Sequence, residues 1–159
     1  MIDKEYLFKY TEYSSHRELP EQDEQLVADA KQAAQNAYAP YSNFKVGAAV
    51  LLKNGKIITG NNQENSAYPS GLCAERVALF YANAKYPDVP VIAMAICAYN
   101  ENGLLKTPVA PCGACRQVML ETELRFKTPV KVILIGEDYI TVVDNTSQLL
   151  PFNFSSKDL

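Results

Sequence analysis

The stretch CAERVALFYANAKYPDVPVIAMAICAY, residues 73–99, carries two different periodicities in a short span. Residues 73–84 place Val77, Leu79, Phe80 and Tyr81 as bulk on a helical pattern, whereas residues 91–99 form an unbroken apolar run. The first reads as a helix and the second as a strand buried on both faces, so a helix feeds a central strand. Upstream, residues 21–39 carry acids in the first turn and Leu26, Ala30, Ala33, Ala34 and Ala37 at helical spacing, a narrow stripe that can lie close to a sheet until Pro40 stops it. Residues 45–60, KVGAAVLLKNGKIITG, read as a hairpin closed at Asn54-Gly55, the dipeptide a type I′ turn favours. Downstream, 112–123 reads as a helix, VKVILIG (130–136) as a second apolar strand, DYITVVD (138–144) as a further strand, and NTSQLLP (145–151) as a short helix with Asn145 or Thr146 as N-cap. This alternation predicts an α/β fold, a layered sheet with helices on both faces.

The chain has 159 residues, 48% hydrophobic and 21% charged, which suits one self-sufficient soluble domain and neither a disordered nor a fibrous chain. A net charge of −3 and a pI near 5.2 exclude the basic footprint of a nucleic-acid binder. No apolar stretch is long enough to span a membrane, and the first residues lack the order of a signal peptide, so no membrane partner and a cytoplasmic location are expected. Residues 1–20, polar and aromatic and closed by Pro20, read as an N-terminal arm on a domain of residues 21–159. With Tyr6, Phe8, Tyr10 and Tyr13 the arm could add an edge strand or pack at a subunit interface.

Four cysteines and one histidine are the soft metal ligands available. In a reducing compartment, clustered cysteines point to metal binding or catalysis before disulfides. Cys112 and Cys115 form a C-x-x-C at the start of a helix, a spacing shared by zinc sites, redox motifs and inert buried pairs. Cys73 opens the other helix, so two helix N-termini can aim thiolates at one point and fill three corners of a tetrahedral site. A fourth protein ligand would make the site structural, whereas an open corner would make it catalytic. Cys97 lies mid-strand and reads as a small buried hydrophobe, and His16 reads as a surface residue of the arm. Glu75 stands where a hydrolytic site needs a carboxylate, provided that Cys73 binds from the helix tip, because residues two apart on a regular helix diverge by about 200°. Otherwise it is an exposed helical glutamate.

The motifs CAER (73–76) and PCGACRQ (111–117), preceded by YAPYSNFKVGAAV (38–50) and GNNQENSAYPSGL (60–72), resemble the cytidine deaminases, specifically the small homotetrameric class with three cysteine ligands. The resemblance runs from about Glu21 to the C-terminus. It implies a three-layer α/β/α fold with a mixed central sheet, and one zinc ion per subunit held by Cys73, Cys112 and Cys115. In this class water activated by the metal attacks C4 of cytosine, and the residue matching Glu75 protonates N3 and then the departing amine. The match also implies that Asn62 and Glu64 contact the ribose, that Phe44 stands at the base pocket, that Ala74 binds substrate, and that Phe154 in LLPFNFSS closes over the pyrimidine of a neighbouring subunit. The chain departs from the family pattern at Asn61 and Gln63, where a cysteine and an aliphatic residue are usual.

Arg76 has a physical rationale of its own. Three thiolates on Zn²⁺ leave a net charge of about −1, which weakens the acidification of water, and a guanidinium donating to the sulfurs offsets it. The resemblance therefore implies a nucleoside deaminase whose partners are a small-molecule nucleoside and further copies of itself. The competing readings are a related zinc deaminase acting on a blasticidin-like nucleoside or on polynucleotides, and a noncatalytic Cys₄ zinc module using Cys97.

Overall fold

The computed structural model describes all 159 residues as one seven-stranded sheet with helices on both faces. In chain order the elements are β1 (Thr11–Tyr13), α1 (Glu21–Gln35), β2 (Lys45–Leu52), β3 (Ile57–Asn61), α2 (Ala74–Lys85), β4 (Val91–Asn100), β5 (Gly103–Leu104), α3 (Gly113–Phe126), β6 (Lys131–Ile135) and β7 (Ile140–Val143). The strands lie in the order β1-β7-β6-β4-β2-β3, with β5 appended to the end of β4. The β4–β6 pair is parallel and every other pair is antiparallel, so the sheet is mixed.

The two-residue alternation along the strands divides the core. Ala48, Val50 and Leu52 of β2 and Met94 and Ile96 of β4 point to the face covered by α2 and α3. Ala49 and Leu51 of β2 and Ala93, Ala95 and Cys97 of β4 point to the face covered by α1, where Leu26, Val27, Ala30 and Ala34 meet them. The result is a three-layer α/β/α fold. Buried Glu123 of α3 accepts from the Val130 and Thr146 amides and the Thr146 hydroxyl, tying the helix to the strand that follows and to a short 3-10 turn at Thr146–Leu149. Asn145 caps that turn by accepting from Gln148 N at 3.2 Å.

Several local expectations are corrected. Helix α1 ends at Gln35 and not at Pro40, because the Tyr38 backbone pairs with the chain at 62–64: its amide donates to Asn62 and its carbonyl accepts from Glu64. The hairpin is not a type I′ turn. Only Gly55 has positive φ (+80°), the loop is Lys53–Asn54–Gly55, and the extra residue leaves Asn54 at negative φ with its side chain accepting from Lys56 N. On α2, Phe80 and Tyr81 are about half exposed (47% and 51%), and Ala74, Ala78, Leu79 and Ala82 supply the core face instead. The arm does contribute a strand: β1 pairs antiparallel with β7 at the edge of the sheet, and Leu19 is buried in the α1-side core.

Two glycines set how closely the helices approach. A Cβ on Gly47 would lie 2.1 Å from the Ala30 carbonyl oxygen of α1, and one on Gly60 would lie 2.5 Å from Ala78 N and 2.7 Å from Ala74 O of α2. Gly60 therefore seats the helix whose tip carries Cys73. Gly60→Ala should lower stability by roughly 1–3 kcal/mol, a fall of about 3–10 °C in Tm. Gly113→Ala, whose Cβ meets nothing within 4 Å, should stay near wild type in the same thermal melt.

Candidate metal centre

The N-termini of α2 and α3 converge on one point. Cys73 is the N-cap of α2 and Cys112 the N-cap of α3, both in extended conformation, and neither thiol is used to cap its helix. Cys115 follows on the first turn of α3 and is fully buried. The three Sγ atoms lie within 4.8 Å of one another, with Cys73–Cys112 at 3.9 Å and Cys112–Cys115 at 3.5 Å. Thiolates placed tetrahedrally about 2.3 Å from a zinc ion stand about 3.8 Å apart, so the donor set and its spacing fit zinc. Cys97 is not among them: it is 1% exposed in the α1-side core, on the other face of the sheet, and burial pushes its thiol up to about 11. A closed four-cysteine site has no fourth thiol within reach.

The electrostatics divide the thiols: Cys73 is held low, while the hydrogen bond to Cys73 and then burial push the Cys115 thiol up. A hydrogen bond from Cys115, supplemented by Arg76, holds the Cys73 thiol down to about 5. The Arg76 guanidinium donates from Nη2 to Cys73 Sγ at 3.7 Å, while its buried Nε has no hydrogen-bond partner. Glu75, one residue into α2, is 4% exposed yet borders the cavity beside the thiols. Cys73 reaches the cluster from the helix tip, which is the geometry that lets Glu75 on the first turn face the same space. Burial holds the Glu75 carboxyl above the usual carboxylate range, and the Cys73 charge pushes the same way.

That space is a cavity of about 760 Å³, of a size for a small organic ligand, bordered by Cys73, Glu75, Arg76 and Cys112 and also by Phe44, Asn62 and Glu64. Glu64 accepts from the amides of Tyr41 (2.9 Å) and Ser42 (3.3 Å) and from the Ser42 hydroxyl, and these bonds, the hydroxyl first, hold its carboxyl below the usual carboxylate range. Asn62 donates to the Phe44 carbonyl at 2.9 Å and accepts from Val46 N at 2.7 Å, so its amide fixes the strand start that carries Phe44. Ala74 is fully buried and does not border the cavity. Phe154 does not reach the cavity of its own chain: it is 61% exposed, its carbonyl held by Gln117 Nε2 at 2.9 Å. The sequence reading missed Tyr68, Leu72, Val109 and Ala110, which also border the cavity, and Ser42 as the partner of Glu64. Only the adjacency of Val109 and Ala110 to the PCGAC motif, and of Ser42 to Phe44, signalled them.

Residues 20–130 match the family model described as the cytidine and deoxycytidylate deaminase zinc-binding region, a span that includes all three clustered thiols and Glu75. The chain belongs to that deaminase family. Curated cytidine deaminases from Halalkalibacterium halodurans and Sporosarcina psychrophila are 42% and 44% identical to it, over 84% and 86% of this chain and 95% and 93% of their own length. Among solved structures, cytidine deaminase from Burkholderia pseudomallei matches with a TM-score of 0.70 at 42% identity, covering 82% of this chain and 97% of that one. Cytidine deaminase from Mycobacterium tuberculosis matches with a TM-score of 0.65 at 32% identity, covering 82% and 95%. The chain is thus an enzyme of the cytidine deaminase family with one zinc ion per subunit as its cofactor. No helix of this deaminase is long and apolar enough to cross a membrane.

Proposed function

We propose that the chain hydrolyses cytidine and deoxycytidine to uridine and deoxyuridine with release of ammonia, as a cytoplasmic enzyme of pyrimidine salvage. The observation that carries this reading is a buried carboxyl, Glu75, beside a three-thiol cluster on a cavity that also carries Asn62 and Glu64. Residues 21–159 are the catalytic unit, with residues 1–20 as an appended arm.

Cys73, Cys112 and Cys115 hold the zinc, which supplies the Lewis acidity that makes water nucleophilic near neutral pH. Glu75 takes the proton of the attacking water, places it on N3 of the cytosine and then protonates the amine leaving C4. Its raised affinity for protons suits a group that must accept and donate in one cycle. Phe44 offers an apolar face to the base, while Asn62 and Glu64 orient the sugar. The Ala74 backbone, between Cys73 and Glu75, meets the substrate. Phe154 lies outside the cavity of its own chain; in keeping with the family resemblance it serves a neighbouring subunit, in a homotetramer whose sites are completed in trans.

Arg76 offsets the thiolate charge through its bond to Cys73. Arg76→Gln, at unchanged zinc content, should move the acid limb of the kcat/KM profile up by about one pH unit, the size expected for losing one charge-assisted hydrogen bond. An unchanged profile refutes that role.

The test of the function is direct: purified protein is incubated with cytidine and with deoxycytidine, with and without a zinc chelator, while cytosine absorbance and ammonia are followed. Chelator-sensitive loss of absorbance with stoichiometric ammonia is expected. No turnover of either nucleoside by zinc-loaded protein overturns the proposal. A blasticidin-like substrate would show as turnover of that nucleoside alone.

A further inference from the structure

On the side of the cavity where the proposed function places the sugar, residues 61–64 are held from three directions. Gln63 exchanges two backbone hydrogen bonds with Leu72, each 2.9 Å, and Leu72 directly precedes the ligand Cys73. Tyr38, just beyond α1, donates its amide to Asn62 O at 3.0 Å and accepts from Glu64 N at 2.8 Å. The third attachment is made by side chains alone. Gln63 Nε2 donates to Asn61 Oδ1 at 2.5 Å, and Asn61 Nδ2 donates to the Ala33 carbonyl in the last turn of α1 at 3.1 Å.

The direction of this ladder is fixed from one end. A backbone carbonyl can only accept, so Asn61 must present its NH₂ to Ala33 and its oxygen to Gln63. The Ala33 carbonyl, in the last turn of α1, also accepts from the C-cap amide of Asn36 at 3.2 Å, so Asn61 occupies its second lone pair. Asn61 alone reaches back to the helix and lies off the cavity, whereas Gln63 borders the cavity with Asn62 and Glu64 while its side-chain amide is engaged by Asn61. Neither ladder residue needs to touch a substrate to matter. A shift of the chain by a fraction of an ångström would displace the Asn62 amide from Phe44 and Val46, and Glu64 from the 41–42 loop.

We infer that Asn61 and Gln63 are positioning residues that lock the sugar-side segment to the end of α1 and thereby set nucleoside affinity without taking part in the chemistry. The inference rests on the proposed function for the identity of the ligand. Asn61→Asp keeps the volume but turns an acceptor toward the Ala33 carbonyl; its KM for cytidine should rise about 10-fold while kcat stays within about 2-fold and zinc remains stoichiometric. Gln63→Met, at an exposed position, removes only the outer rung and should raise KM about 3-fold with an unchanged melting temperature. A role in folding alone would lower Tm and zinc content in Asn61→Asp and leave Gln63→Met at wild-type KM, and that result overturns the inference. Wild-type turnover with unchanged KM in both folded variants also overturns it, leaving the functional reading intact. Wild-type protein that turns over neither nucleoside overturns the functional reading, and the sugar-side role with it.

Discussion

Glu75→Gln should retain one zinc per subunit and the wild-type melting temperature, yet lose roughly 10³–10⁴-fold in kcat on cytidine. The substitution is isosteric, so the buried site at the tip of α2 is refilled without a cavity. What is lost is the ability to accept a proton and pass it on. A positioned general acid–base typically contributes about 10²–10⁴-fold, and here one carboxyl serves both the attack of water and the departure of the amine, which places the effect at the upper end. The amide can still donate a hydrogen bond, so KM should move far less than kcat. Steady-state turnover, metal analysis and a thermal melt together separate the outcomes. A kcat within tenfold of wild type would mean that another group moves the proton, and none of the other residues bordering that end of the cavity is suited: Arg76 is committed to Cys73 and the remaining groups are ligands. A drop in zinc content would instead assign Glu75 to holding the cluster.

How far the chain can be read without its structure depends on whether a feature is local. The β4 run is apolar at nearly every position and can lie only at the centre of a sheet with helices on both faces, so the layering was legible from it. The cluster was legible because each thiol stands at or next to a helix start, and a helix start is written in a few adjacent residues. The features that escaped depend on partners far along the chain. Phe80 and Tyr81 fall on a helical pattern that suits either a core or a surface face, and small residues, Ala74, Ala78 and Ala82, won the core side because Gly60 brings the β3 backbone too close for larger ones. The early end of α1 is set by pairing of Tyr38 with residues 62–64, which nothing near Tyr38 announces. Glu64 was legible as a motif residue, but its partner Ser42, twenty-two positions away, was not.

Cys115→Ala and Cys97→Ala should behave in opposite ways although both remove one buried thiol. Cys115 lies at the centre of the cluster, 3.5 Å from Cys112, and its loss leaves two protein donors. Two thiolates do not retain zinc against the chelating capacity of an ordinary buffer, so purified Cys115→Ala should carry less than about a tenth of an ion per subunit and show no turnover above background, a fall beyond about 10⁴-fold in kcat/KM. It should also unfold at lower temperature, because a metal bound only by the folded chain adds its binding free energy to stability. Adding zinc back should restore neither property. Cys97→Ala deletes a sulfur from the opposite face of the sheet, where Cys97 lies in register between Gly47 of β2 and Ile135 of β6 in the α1-side core. The cost there is a small cavity, about 1 kcal/mol, with zinc stoichiometric and kcat unchanged. Zinc loss from Cys97→Ala would place a fourth thiolate on the metal and close the corner that catalysis requires open. Matching behaviour of the two variants is therefore the result that the geometry forbids, since the sheet itself stands between Cys97 and the other three thiols.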